Sequence, residues 1–256
     1  MVVITMMTET TMNKLIEMRL TSMADALRVQ LNDHTFQTLS FEERLGLLVD
    51  VEYTNRKNNR LARLIKNAKF DNTNAAVADI NYSSGRILDQ SLINRLARCD
   101  YIVNKHNLII MGATGSGKTY LACALGIQAC QKFYTVKYIR LPELLVSLSI
   151  AKDEGIYNRV FKQFVKPQLL IIDEWMLVTL TEVEAKLLLE IIHVRHKRAS
   201  TVFCSQFAPA GWHAKIGKGT LADAILDRIV HDSYTIEIKS KPGQDHSMRE
   251  IYGLKI

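Results

Sequence analysis

The sequence predicts an α/β domain, a mainly parallel sheet covered by helices on both faces, preceded by a small all-helical domain. Three observations predict it. From Asn107 onward, short apolar runs alternate with stretches of helical periodicity, the pattern of successive strand–helix units in which strands are buried on both faces. Up to about Phe70 the chain has helical spacing, without strand-like alternation and without Gly-Pro punctuation. Between the two lies a polar stretch, Asp71 to Gly85, which reads as the connection. The helical domain is therefore placed at 1–72 and the sheet domain at 73–256.

Each element has its own warrant. Ile16, Leu20, Met23, Leu27 and Leu31 recur every three or four residues, the stripe of one amphipathic helix. A second helix opens at Ser40, where Glu43 completes a capping box, and runs through Leu45, Leu48, Leu61, Leu64 and Ile65 to about Lys69. Strands are expected at 108–111, 136–139, 169–173, 201–205 and 234–238. Helices are expected between them at about 119–132, 142–152, 181–198 and 220–231, the last from a second capping box, Thr220 with Asp223.

Composition sets limits. In 256 residues, 48% hydrophobic side chains suffice for a full core. Thirty-three Lys and Arg against 26 acids leave a net charge of +7, which suits a partner rich in phosphate. Cys99, Cys123, Cys130 and Cys204 show no metal-ligand spacing, so buried free thiols in a reducing compartment are expected. The apolar start, Met1 to Met7, lacks the basic and long apolar regions of a signal peptide, and no run approaches the about 18 residues of a membrane span. The expected location is the cytoplasm, away from any membrane.

The chemistry begins at the end of the first sheet-domain strand. Gly112, Ala113, Thr114, Gly115, Ser116, Gly117, Lys118 and Thr119 fit G-x-x-x-x-G-K-S/T, and Tyr120 continues into a helix. Strand, glycine loop and helix are the setting this motif requires. The glycines let backbone N–H groups converge on phosphate oxygens at the positive end of a helix. Lys118 is placed to neutralise the terminal phosphates, and the Thr119 hydroxyl to hold Mg2+; the expected ligand is a nucleoside triphosphate.

A strand ending in Asp173 and Glu174 follows Lys118 by about 55 residues with one strand between. Asp173 suits the metal and Glu174 the general base that polarises the attacking water. This arrangement favours ATPases with a separate catalytic glutamate over small-molecule kinases. The next strand ends in Ser205 and Gln206; lying between the two nucleotide strands, it either turns one of them toward the γ-phosphate or attacking water, or is a polar strand end that merely meets solvent. Arg228, on the last helix, is either a solvated arginine or a finger reaching the phosphate of a neighbouring subunit.

Together these motifs resemble a known family. Arg19 to Leu27, Leu39 to Leu45, Leu48 to Asp50, Gly112 to Gly126, Leu170 to Trp175, Ser205 with Gln206, Trp212 with His213, and Asp223 to Arg228 resemble the IstB-like transposition helper ATPases, over about Arg19 to Arg249. The resemblance implies a P-loop AAA+ module of the clade that holds bacterial initiators and helicase loaders. It implies ATP-dependent self-assembly on double-stranded DNA, deformation of that DNA, and stimulation of a partner transposase. It also implies Gln206 rather than Ser205 as the sensor, and Arg228 acting in trans. The chain departs from the pattern at Met176, where many relatives carry glycine. Only 28 residues follow Arg228, which implies no C-terminal helical lid, with Arg249 standing in for a lid arginine.

Six basic residues and no acid lie between Tyr53 and Phe70: Arg56, Lys57, Arg60, Arg63, Lys66 and Lys69. They are either a solvated helix face or contacts to the DNA backbone, a role that needs charge rather than base-edge chemistry. Lys215 and Lys218, beside two glycines, are either a plain mobile loop or a second contact to DNA. The competing readings are a helicase loader of the same clade, a monomeric small-molecule kinase, and a nucleotide-regulated scaffold with negligible turnover.

Overall fold

The structure, a computed structural model, describes residues 2–240 except Ser84 and Lys218, with side chains from Glu9 onward. The chain forms two compact units, Met1–Arg63 and Leu64–Ile256, where the sequence places its division at 72/73. The unit division falls inside a helix, α3.

The first unit opens with α1 (Val2–Glu17) and α2 (Thr21–Asn32), and α3 begins at Phe41 and runs to Ala68. The stripe expected to form one helix is thus split between two. Arg19 turns left-handed, with φ 60°, while Arg19 N–H donates to Ile16 O and Leu20 N–H to Leu15 O. This is the double carbonyl capture that ends helices, made here without the glycine that usually announces it. The α2 N-terminus carries no side-chain cap of its own. Glu52 of α3 supplies one, accepting from Met23 N–H at 3.1 Å, while Arg56 binds the other carboxylate oxygen at 2.7 Å. The Ser40–Glu43 capping box forms as expected, at 2.8 and 3.2 Å.

In the second unit, β1 (Arg86–Ile87), α4 (Gln90–Leu96) and α5 (Asp100–Val103) precede the sheet proper. There follow β2 (Asn107–Gly112), α6 (Lys118–Gln131), β3 (Val136–Arg140), α7 (Leu141–Asp153), α8 (Tyr157–Val165) and β4 (Leu169–Trp175). The order continues with α9 (Glu182–Arg195), β5 (Ser200–Ser205), α10 (Pro209–Ile216), α11 (Thr220–Val230) and β6 (Ser233–Ser240). The sheet order is β1-β6-β2-β5-β4-β3, parallel except for the antiparallel β1. All five expected strands are present, and β5 lies between β2 and β4 as expected. The sequence did not announce β1, α4, α5, α8 or α10, although Pro209 in the first turn of α10 is a start signal.

Two helix starts differ in kind. The expected Thr220–Asp223 box does not form: α11 is capped by Gly219 with no side-chain bond, and Asp223 instead pairs with His213 at 3.0 Å. A true capping box joins Thr181 and Glu184 on α9, at 2.7 and 3.3 Å. Under the sheet, Trp175 packs edge-on to Phe203 and Trp212, with ring centroids 4.5 and 5.7 Å away, and all three are fully buried. The described residues end with β6, so the expected absence of a helical lid concerns residues outside them, and among the described residues no helix is long and apolar enough to cross a membrane.

Candidate functional site

Parallel strands bring their carboxyl ends to one edge, and loops leaving β2, β4 and β5 meet there. The result is a cleft lined by Thr114, Gly115, Lys118, Thr119, Asp173, Glu174, Trp175, Leu177, Cys204 and Gln206. The glycine loop holds its shape through Gly115 and Gly117, left-handed at φ 76° and 95°. A methyl group on Gly112 would lie 2.9 Å from Ile238 O and 2.7 Å from Ser116 Oγ, so the close packing of loop on sheet requires glycine there. The Ser116 hydroxyl is buried without a hydrogen-bond partner.

Lys118 folds its ammonium back on its own loop, donating to Gly112 O at 2.8 Å and Ala113 O at 2.7 Å. Burial pulls its pKa below the ordinary lysine value, while nearby Asp173 opposes the shift. An anionic phosphate provides the stronger acceptor that this partly desolvated cation lacks. The Thr119 hydroxyl donates to Asp173 Oδ2 at 2.6 Å, so both expected metal-holding side chains converge. Their hard oxygens fit Mg2+, which needs only one or two protein ligands beside phosphate oxygens. Among the described residues there is no larger His/Cys/Asp/Glu cluster, and this mode of binding requires none.

Asp173 is also gripped from the side that sequence reasoning missed. Tyr138 donates to the same Oδ2 at 2.9 Å, and Glu174 N–H donates to Oδ1 at 2.8 Å. Glu174 Oε1 stands 3.9 Å from Arg140, whose guanidinium is shared with Glu143. Arg140 is Asp173's partner across the β3–β4 pairing. That placement depends on strand register, which no local motif announces. Arg86 of β1 likewise braces the glycine loop, donating to Ser116 O at 2.8 Å and to Asn81 O.

The Walker-type turn explains the Met176 departure. Glu174 and Met176 are both left-handed, at φ 53° and 55°. Glycine satisfies such a backbone freely, whereas Met176 carries conformational strain but fills the core with a side chain that is 0% exposed. We expect Met176→Gly to destabilise the domain by about 1–3 kcal/mol in urea unfolding, because the cavity outweighs the strain relieved. A more stable variant would reverse that ranking.

The strand end after β5 is divided. Ser205 Oγ donates to Trp175 O and accepts from Trp212 Nε1 and Phe207 N–H, which locks it in the core. Gln206 alone of the pair lines the cleft. The Tyr120 hydroxyl bonds the backbone of Ala76 and is not in that lining. Arg228 is half-buried, donates to Ala224 O at 2.6 Å on its own helix, and does not line the cleft of its own chain.

The basic candidates fare unevenly. Arg56 is engaged by Glu52 and by Arg19 O at 2.8 Å, so the acid just before the expected basic run neutralises its first member. Lys57 lies over the Tyr53 ring at 4.4 Å, and Arg63 Nε donates to Asn59 O. Arg60, Arg63, Lys66 and Lys69 are exposed along α3 and just beyond its end. Lys215 is occupied too, donating to Leu177 O at 3.2 Å and covering the Phe207 ring at 4.4 Å. Lys218 and Arg249 lie outside the described residues. The four cysteines are buried and free, with burial raising Cys99 and Cys123 to about 11 and Cys130 to about 12.

Residues 13–250 match the family model of the IstB-like ATP binding protein. An insertion sequence ATP-binding protein of Sinorhizobium fredii is 39% identical over 236 residues, 92% of this chain and 96% of its own. The IS1162 ATP-binding protein of Pseudomonas fluorescens is 44% identical over 201 residues, 78% and 87% of the two chains. Among solved structures, AMPPCP-bound DnaA from Aquifex aeolicus superposes with a TM-score of 0.56 at 18% identity, covering 71% of this chain and 54% of that one. DnaI gives 0.55 at 21% identity, covering 69% and 91%. At such identity these two establish the shared AAA+ fold.

Proposed function

Since the chain belongs to the IstB-like ATP-binding family, and so is an ATP-binding AAA+ ATPase associated with insertion sequences, we propose that it assembles on duplex DNA under the control of ATP, deforms that DNA and stimulates a partner transposase. One observation carries the assembly part. Within one copy the cleft gathers Lys118, Thr119, Asp173, Glu174 and Gln206, but among the described residues no arginine lines it. Arg228 stands elsewhere on the same unit, on α11, where it can complete the cleft of a second copy rather than its own.

In this scheme the loop amides and Lys118 hold the phosphates, and Thr119 and Asp173 would hold Mg2+, which would supply neutralisation of phosphate charge. Glu174 takes the proton of the attacking water, and Gln206 orients that water or the γ-phosphate. Arg228 from a neighbour stabilises charge developing in the transition state, so hydrolysis loosens the subunit contact. Along α3 and just beyond its end, Lys57, Arg60, Arg63, Lys66 and Lys69 meet the DNA backbone, with Arg56 contributing less because Glu52 neutralises it.

Light scattering with a non-hydrolysable ATP analogue and a random-sequence duplex tests this. The wild-type protein is expected to form oligomers only with both, and Arg228→Ala to remain small while still binding nucleotide. A wild-type monomer under every condition would overturn the proposal. Preference for single strands over duplex would favour a helicase loader instead.

A further inference from the structure

Because β6, β2, β5, β4 and β3 run parallel, the loops that enter them gather at the edge opposite the nucleotide cleft. Those loops, with the turn between α4 and α5, carry six cations: Arg98 in that turn, Lys105 before β2, Lys132 before β3, Lys166 before β4, and Lys197 and Arg198 before β5. Only two acids, Asp100 and Asp232, accompany them. All six but Lys105 are exposed, and among the described residues none of the six forms an ion pair.

Helix C-termini favour nearby cations, and each of these loops follows a helix. That preference needs no rigid frame, yet this edge is framed. Ser200 N–H donates to Gln168 O at 3.1 Å, Leu169 N–H to Thr135 O at 3.1 Å, and Asn107 N–H to Asp232 O at 2.8 Å, stitching successive loops together. The strongest brace is Arg195, 2% exposed and, among the described residues, without an acidic partner. It donates to Phe164 O and Val165 O at the end of α8 and to Pro167 O just beyond, and to Ser200 O and Thr201 Oγ1 at the start of β5. Burial draws its pKa down to about 9, which still leaves it charged at neutral pH. A buried cation is costly, and this one fixes the two loops that bear Lys166, Lys197 and Arg198. Nothing in ATP hydrolysis uses it.

Four neighbouring strands, β2, β5, β4 and β3, spread these charges over about 14 Å. That spread is long enough to meet more than one phosphate of a DNA strand. We propose that this strand-entry edge is a second docking surface for the phosphate backbone of duplex DNA, separate from α3 and indifferent to base sequence. The proposal rests on the DNA-binding reading above.

The test replaces Lys166, Lys197 and Arg198 together with alanine and measures binding of a labelled random-sequence duplex by anisotropy, over about 50–200 mM salt. Affinity is expected to fall about tenfold at moderate salt, and the salt slope to become shallower by about 0.9 for each phosphate no longer neutralised. ATP turnover without DNA should not change. If wild-type protein binds duplex and the triple variant matches it in affinity and slope, this surface is wrong while the DNA reading stands. If wild-type protein shows no salt-dependent duplex binding, both fall.

Discussion

Lys118→Ala is expected to weaken ATP binding at least about 100-fold and to reduce hydrolysis below detection, because a desolvated charge pair with the phosphates is removed. The geometry makes the effect specific. The ammonium bridges Gly112 O and Ala113 O at 2.8 and 2.7 Å, so it already sits over the loop that receives the phosphates. Burial disfavours its charge in the free protein, and a triphosphate reverses that cost. Fold stability without nucleotide should therefore be nearly unchanged, since the native cation is held at a penalty. Thermal melts with and without ATP separate the two effects: the wild-type midpoint rises with ligand and the variant's does not. A variant that retains a full ATP-induced shift would contradict the role given to Lys118.

Glu174→Gln should leave ATP binding intact and slow turnover by about 10²–10⁴, the usual contribution of a positioned general base. Glutamine keeps the shape and left-handed backbone of this position but cannot accept the proton of water. Its weaker attraction to Arg140 is minor, because both groups of that 3.9 Å pair are substantially exposed. If ATP joins neighbouring copies, the variant's oligomers on duplex DNA should persist in ATP where wild-type oligomers dissolve. Single-turnover hydrolysis measures the first effect and light scattering the second. Normal turnover would remove Glu174 from the chemistry, and rapid dissociation in ATP would detach hydrolysis from assembly.

Features that depend on residues close together along the chain are legible in the amino-acid sequence itself. The glycine loop needs its glycines and Lys118 within eight positions, the Ser40–Glu43 box needs four, and an apolar strand ending in Asp173 and Glu174 needs six. Signals of this kind fail only where another residue takes over. Thr220 and Asp223 have capping-box spacing, but Gly219 caps α11 and Asp223 is captured by His213. The stripe through Ile16 and Leu31 is broken by a left-handed Arg19, a conformation that arginine does not advertise.

By itself the sequence determined the strand–helix alternation, the phosphate loop and the acidic pair, since each is written in short-range periodicity or spacing. Tertiary structure alone decided which side chains surround those groups. Tyr138 and Arg140 reach Asp173 and Glu174 through strand pairing, Ser205 withdraws into the core while Gln206 faces the cleft, and Arg56 is claimed by Glu52 and Arg19. The physical reason is range: backbone propensity and capping act within a turn or two of chain, whereas register, burial and charge pairing join residues that only the finished packing makes neighbours.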